Sequence, residues 1–209
     1  MNHHSRLGDV QWGATIVGEW EKYSIGDADF FLSRVLPNGL DEALVGLIAE
    51  FRGLELLPTY SSYCYLVASV VVSLLTARGL GVRLFDCCVA MKDHGREFLL
   101  GHGIARPGQI NGHLACIVDD RVLVDFGLGA ARKYSPLRDV PQGVVCRLPA
   151  SAEEAVSVHL PTGLDIEWRR GAMPPNREHE LQVNGRVAAA VIRRWRRRLK
   201  RQQTSTRAA

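Results

Sequence analysis

Ser61-Ser62-Tyr63-Cys64-Tyr65-Leu66-Val67-Ala68 opens a stretch, Tyr65 to Ala77 (YLVASVVVSLLTA), that is apolar on nearly every side and is closed by Arg78-Gly79. A basic last turn followed by glycine is a helix stop, so the stretch predicts a buried helix. Ser61 or Ser62 can accept a bond from the free N–H groups of the first turn, and either cap puts Cys64 at the second or third helical position. Sulfur there faces the positive end of the helix. Helix N-termini and a neighbouring imidazolium are the environments that most often depress a cysteine pKa, so the position suits a nucleophile. It suits packing equally, because free cysteine is among the most buried residue types.

The chemistry of a thiol nucleophile asks for an imidazole to take its proton and a carboxylate to hold that imidazole in one tautomer. Asn111-Gly112-His113-Leu114-Ala115-Cys116-Ile117-Val118, then Asp119-Asp120, then Arg121-Val122-Leu123-Val124-Asp125-Phe126-Gly127, supply both on a hairpin signature of two β-rich runs around polar turn residues. Register makes a demand. A two-residue turn at Asp119-Asp120 pairs His113 with Phe126 and sends Asp125 to the other face, so a triad forbids it. A three-residue loop, Asp119 to Arg121, pairs Ala115 with Asp125 and makes His113 its diagonal neighbour, about 7 to 8 Å away between backbones and within side-chain reach. A bulge near the turn serves as well. Each residue also has an ordinary explanation: His113 as a strand-end histidine satisfied by a loop carbonyl, Asp125 as a turn former before Gly127.

A cysteine opening a buried helix, then a strand, then a Gly-His-apolar strand and an apolar strand ending in Asp, resembles the core of the transglutaminase-like and papain-like cysteine enzyme superfamily over roughly Tyr60 to Gly129. That resemblance implies Cys64 as nucleophile, His113 as general base and then acid, and Asp125 as the group orienting the imidazole. Val124-Asp125-Phe126-Gly127-Leu128-Gly129 is also similar to the aspartate strand of arylamine N-acetyltransferases, which share this order, although Tyr60-Ser61-Ser62-Tyr63 replaces their Arg- and Gly-rich approach to the cysteine. Acyl transfer also needs donors for the oxyanion. The candidates are the Cys64 N–H, Tyr60, and Gln109 or Asn111 in the glycine-punctuated connection Gly101 to Gly112, which reads either as a mobile lid or as an ordinary surface loop.

Elsewhere, Met1 to Gly26 resists assignment, with Gly13, Gly18 and Gly26 interrupting any period, though Trp12, Trp20 and Tyr23 suit packing onto the core. Asp27 to Leu36 reads as a short helix broken at Pro37-Asn38-Gly39, and Leu40 to Phe51, apolar at 40, 44, 47, 48 and 51, as an amphipathic helix. Strands are expected at Val82 to Met91, Phe98 to Leu100, 113 to 118, 121 to 126, Val144 to Leu148 and Val156 to Leu160. Helices followed by antiparallel strands predict an α+β class, N-terminal helices including the one headed by Cys64 packed on an antiparallel sheet, with a papain-like or transglutaminase-like core as the resemblance implies.

At 209 residues and 46% hydrophobic content the chain can bury one sizeable core, expected over residues 1–170 with 1–26 as an extension. Neither a membrane-spanning apolar run nor a signal core is legible, which predicts a soluble cytoplasmic protein. Five cysteines without metal or CxxC spacing should be reduced; Cys87, Cys88, Cys116 and Cys146 read as core, and no metal or cofactor is expected. His94, His102, His159 and His179 lack partners at helical or strand spacing.

Residues 171–179 read as a linker, and 180–209 as a basic helix and tail containing Arg193-Arg194-Trp195-Arg196-Arg197-Arg198-Leu199-Lys200-Arg201. Residues 193–209 hold eight of the chain's 26 Lys/Arg and none of its 22 Asp/Glu, which leaves the remainder at −4. Val187, Val191, Trp195 and Leu199 recur at i, i+4 as an apolar stripe. Such an end can bind an anionic surface (nucleic acid, membrane or acidic protein), dock on the acidic body of the chain, or stay solvated. The expectation is therefore a cysteine hydrolase or acyltransferase acting on an amide, isopeptide or ester in a protein, peptide or small acyl substrate. The alternative is a non-catalytic binding module of the same fold recruited by its basic tail, which a two-residue hairpin turn favours.

Overall fold

The computed structural model describes residues 15–37, 39–54, 56, 64–101, 112–132, 135, 137, 139–149, 155–171 and 175–207. It is a mixed α/β structure in which three long helices, α1 (Asp41–Gly53), α2 (Cys64–Thr76) and α4 (Arg177–Arg207), accompany a largely antiparallel sheet, with a short α3 (Gly129–Arg132). Ten strands are described: β1 (Thr15–Val17), β2 (Trp20–Ile25), β3 (Ala28–Ser33), β4 (Val82–Asp93), β5 (Arg96–Leu100), β6 (His113–Val118), β7 (Val122–Asp125), β8 (Gly143–Arg147), β9 (Ala155–His159) and β10 (Asp165–Arg170). Their order is β1-β9-β10-β4-β6-β7-β8-β3-β2, with β5 paired to the second half of β4. Two pairings are parallel, β1 with β9 and β3 with β8.

Each face of the sheet has its own core. Leu114, Cys116, Val122 and Val124 point to the helices, where α2 contributes Leu66, Val67, Val70, Val71 and Leu74 and α1 contributes Leu44, Leu47, Ile48 and Phe51. The alternate residues Ala115, Ile117 and Leu123 meet Cys87, Val89, Met91, Cys146, Ile166 and Trp168 in a second core on the other face. α2 stops at the expected Arg78-Gly79, where the Leu80 N–H returns to the Leu75 carbonyl. Arg78 also reaches Glu50 of α1 at 2.7 Å.

The segment expected as a helix from Asp27 to Leu36 is instead largely strand β3. Phe30 and Leu32 enter the helix-side core while Phe31 enters the other, so a strand buried on both faces yields a continuous apolar run that resembles a helix in sequence. Strands β1 and β2 occupy part of the unassigned N-terminal region, with Trp20 and Tyr23 packed as expected; Trp12 lies outside the described residues.

α4 begins at Arg177, whose Nε lies 2.6 Å from Asp86 on β4. Its buried residues are Ala188, Ile192 and Trp195, whereas Val187 and Leu199 of the expected stripe are each 37% exposed. A strict i, i+4 row drifts about 40° per step around a 3.6-residue helix, so only part of it stays on the contact face. Trp195 seats on the end of α1 where Gly53 leaves room: a Cβ there would lie 2.5 Å from the indole Nε1. Arg198 adds a bond to the Gly53 carbonyl at 3.0 Å. Among the described residues, no helix is long and apolar enough to cross a membrane. Trp195→Ala is expected to cost about 3 kcal/mol in urea unfolding, against less than about 0.5 kcal/mol for Val187→Ala on the exposed side.

Candidate functional site

The β6–β7 turn decides the site. Cys116 pairs with Val124, Ile117 with Leu123 and Val118 with Val122, which leaves a three-residue loop, Asp119 to Arg121. Asp119 and Asp120 take left-handed φ values of 47° and 53°, a conformation that short polar side chains tolerate, and the Arg121 N–H closes on the Val118 carbonyl at 2.9 Å. The turn is tied to the start of β4: Asp119 Oδ1 accepts from the Gly81 N–H at 2.8 Å and Asp120 Oδ1 meets Arg83 Nε at 2.7 Å. This is the register under which His113 and Asp125 can meet. They do so, His113 Nε2 lying 2.7 Å from Asp125 Oδ2, with side chains 1% and 0% exposed.

Asp125 has two further donors. The Trp168 indole N–H reaches the same Oδ2 at 2.7 Å, and the Gly127 N–H reaches Oδ1 at 2.8 Å. Trp168 was not legible as a site residue, since Asp165-Ile166-Glu167-Trp168-Arg169-Arg170 reads as a charged segment; the alternation of Ile166 and Trp168 with charges was the signal for β10. The chain after Asp125 is held by both its side chain and its backbone. Phe126 stacks edge-on with Phe30 and Phe51, ring centres 4.9 and 5.2 Å away, and its carbonyl accepts from buried Gln142 at 2.7 Å.

Cys64 closes the group from the helix side. A Cβ added at Gly127 would meet His113 Cε1 at 3.1 Å, Cys64 Cβ at 3.2 Å and Asp125 Oδ1 at 3.3 Å, so the three side chains converge around that glycine. The expected cysteine, histidine and aspartate are thus brought together. Cys64 is partly exposed while His113 and Asp125 are buried, so Cys64 is the most exposed residue of the three. The other residues expected to assist, Tyr60, Gln109 and Asn111, lie outside the described residues, as do the capping candidates Ser61 and Ser62 and His102.

Electrostatics favour a charged ring. Burial alone would push the His113 imidazole down, but the Asp125 carboxylate, by charge and hydrogen bond, and the neighbouring Cys64 sulfur outweigh it and raise the ring to about 10. With Nε2 committed to Asp125, Nδ1 is the nitrogen left for the thiol. Burial raises the thiols of Cys87, Cys88, Cys116 and Cys146, the last to about 12. Cys87 and Cys116 contribute to the two cores, as does Cys146, and Cys88 bonds the Gly101 carbonyl at 3.0 Å. Among the described residues, no group of three or more His, Cys, Asp or Glu is placed to hold a metal ion. The surface clefts beside Lys92 to Glu97 and beside Leu40, Leu80 and Asp119 include none of the three converging residues.

No protein-family model, curated protein or solved structure matches the chain.

The raised imidazole makes a linkage prediction. A ring that titrates near 6.5 when unfolded and near 10 when folded contributes stability that is fully present below pH 6.5 and is lost as pH rises toward 10. The stability difference between the parent and His113→Gln, read as urea midpoints, should therefore shrink across that window. Trp168→Phe, which removes a donor to a buried carboxylate, is expected to cost about 2 kcal/mol, more than Trp20→Phe, whose indole bonds the exposed His159 carbonyl.

Proposed function

We propose that the chain is a cysteine-nucleophile hydrolase or acyltransferase with a transglutaminase-like or papain-like core, forming a thioester on Cys64. The observation that carries this reading is the convergence of Cys64, His113 and Asp125 around Gly127, with the imidazole held by the carboxylate at 2.7 Å. The three-residue hairpin loop supports it as well, being a register that lets His113 and Asp125 share a face.

In this reading His113 Nδ1 takes the Cys64 proton, giving a thiolate beside an imidazolium that Asp125 orients and stabilises. The thiolate attacks the carbonyl of an amide, isopeptide or ester, and negative charge moves to the carbonyl oxygen, where the Cys64 backbone N–H is a candidate donor. Collapse of this intermediate breaks the bond to the leaving group, which takes its proton from His113. A ring raised to about 10 is charged at neutral pH and so is stocked with that proton. His113 then deprotonates water or an amine, which attacks the thioester and frees Cys64. These steps need no metal or organic cofactor, and the thiol requires a reducing setting such as the cytoplasm.

p-Nitrophenyl acetate tests the reading without knowledge of the natural substrate. A burst of nitrophenolate should accompany addition of one acetyl group to Cys64, seen by peptide mass spectrometry and removed by hydroxylamine. Cys64→Ala should abolish the adduct, and His113→Ala should slow its formation by about 100-fold or more. Absence of an acyl adduct, together with equal iodoacetamide alkylation of Cys64 at neutral pH in the parent and His113→Ala, would sink the proposal.

A further inference from the structure

We infer that the outer face of α4 is a docking surface for the phosphate backbone of a nucleic acid, an inference independent of the Cys64 chemistry. The apolar side of α4 is spent on the body of the protein through Ala188, Ile192 and Trp195. Along residues 193–200 the outward side is mainly cationic: Arg193, Arg194, Arg196, Arg197 and Lys200 are all exposed, with the exposed Leu199 among them. From Leu199 to Thr204 every residue is exposed, so the last turns of the helix stand clear of the body.

The second half of the helix carries no acid of its own. No acid occurs between Leu181 and Ala209, and Arg193 with Arg197, and Arg196 with Lys200, set like charges four residues apart, where they repel. The negative end of the helix dipole offsets this only in the last turn. Like charges held this close are relieved by a partner that supplies counter-charge. That partner is therefore an anion with many closely spaced charges.

Lipid fits less well, because an interfacial helix lays a broad apolar face into the headgroups, whereas Ile192 and Trp195 are turned inward and the exposed large apolar residues of α4 are only Val183, Val187 and Leu199, without a large aromatic anchor. A phosphate backbone fits well. Guanidinium forks match phosphate oxygens bidentately, and four of the five exposed cations in this row are arginines. Residues 193 to 200 rise about 10 Å along the helix axis, a length over which one strand of a duplex presents about three phosphates.

The test is fluorescence anisotropy of a labelled duplex of about 20 base pairs, as DNA and as RNA, with the full chain over a salt series. Binding should weaken linearly in log–log form with a slope of about −3 to −5, near 0.9 per phosphate neutralised. The double variant Arg193→Gln, Arg197→Gln should lose about 10-fold or more in affinity and reduce the slope by about 2, with an unchanged urea midpoint. Arg147→Gln, an exposed cation on β8, should bind like the parent, as should Cys64→Ala. No binding near 100 mM salt, a slope the double variant leaves unchanged, or tighter binding to phosphatidylserine vesicles or polyglutamate than to either duplex would overturn the inference.

Discussion

A carboxylate with no exposed surface is the constraint around which this protein is built. Taking Asp125 out of water is costly, and the cost is met only by donors held in place by the fold. Those donors come from β6, from β10 and from the turn after β7, so one side chain ties three parts of the chain to a common point. The strand order then acquires a meaning. β10 and β7 are separated by β4 and β6, three spacings or about 14 Å in a flat sheet, too far for an indole and a carboxylate to touch. The 2.7 Å contact between Trp168 and Asp125 therefore requires the sheet to curl around its second core.

The same constraint separates access from orientation. His113 and Asp125 sit beneath the surface, where low polarity strengthens their attraction, while Cys64 stands partly exposed at the end of α2. Phe126, gripped between Phe30 and Phe51, keeps the intervening turn from shifting toward Cys64. A partly exposed cysteine beside an imidazole oriented by a buried carboxylate is the arrangement the proposed nucleophilic role would need.

What could be read in the chain followed from local rules with few solutions. The apolar run after Cys64 ends at Arg78-Gly79 as expected, and the sequence narrows the hairpin to a two-residue turn or to the three-residue loop or bulge that lets His113 and Asp125 share a face, of which the structure adopts the three-residue loop. What could not be read depended on neighbours distant in sequence. β3 resembles a helix because both of its faces are buried, the first by α1 and α2 and the second by the curl of the sheet. Trp168 gains its role only once β10 pairs with β4, and the inward face of α4 was set by how closely small Ala188 lets it approach α2, not by the largest side chains in its sequence. Conversely, the charge of α4 was plain from composition, but the exposure of its arginines needed the docked apolar side.

α4 also has a bearing on how this protein ages. It covers the helix that carries Cys64, and it is the last element of the described chain, joined to the sheet by Arg177 on Asp86 and to α1 by Trp195. Its projecting, arginine-rich final turns are the natural point of entry for a trypsin-like protease. Clipping there would spare the docked turns, whereas erosion past Trp195 would strip the apolar cover from α2 while leaving the sheet's second core untouched. Wear from this end would thus loosen the thiol-bearing helix before the strands, so that a nicked molecule loses the group around Gly127 sooner than it loses its sheet.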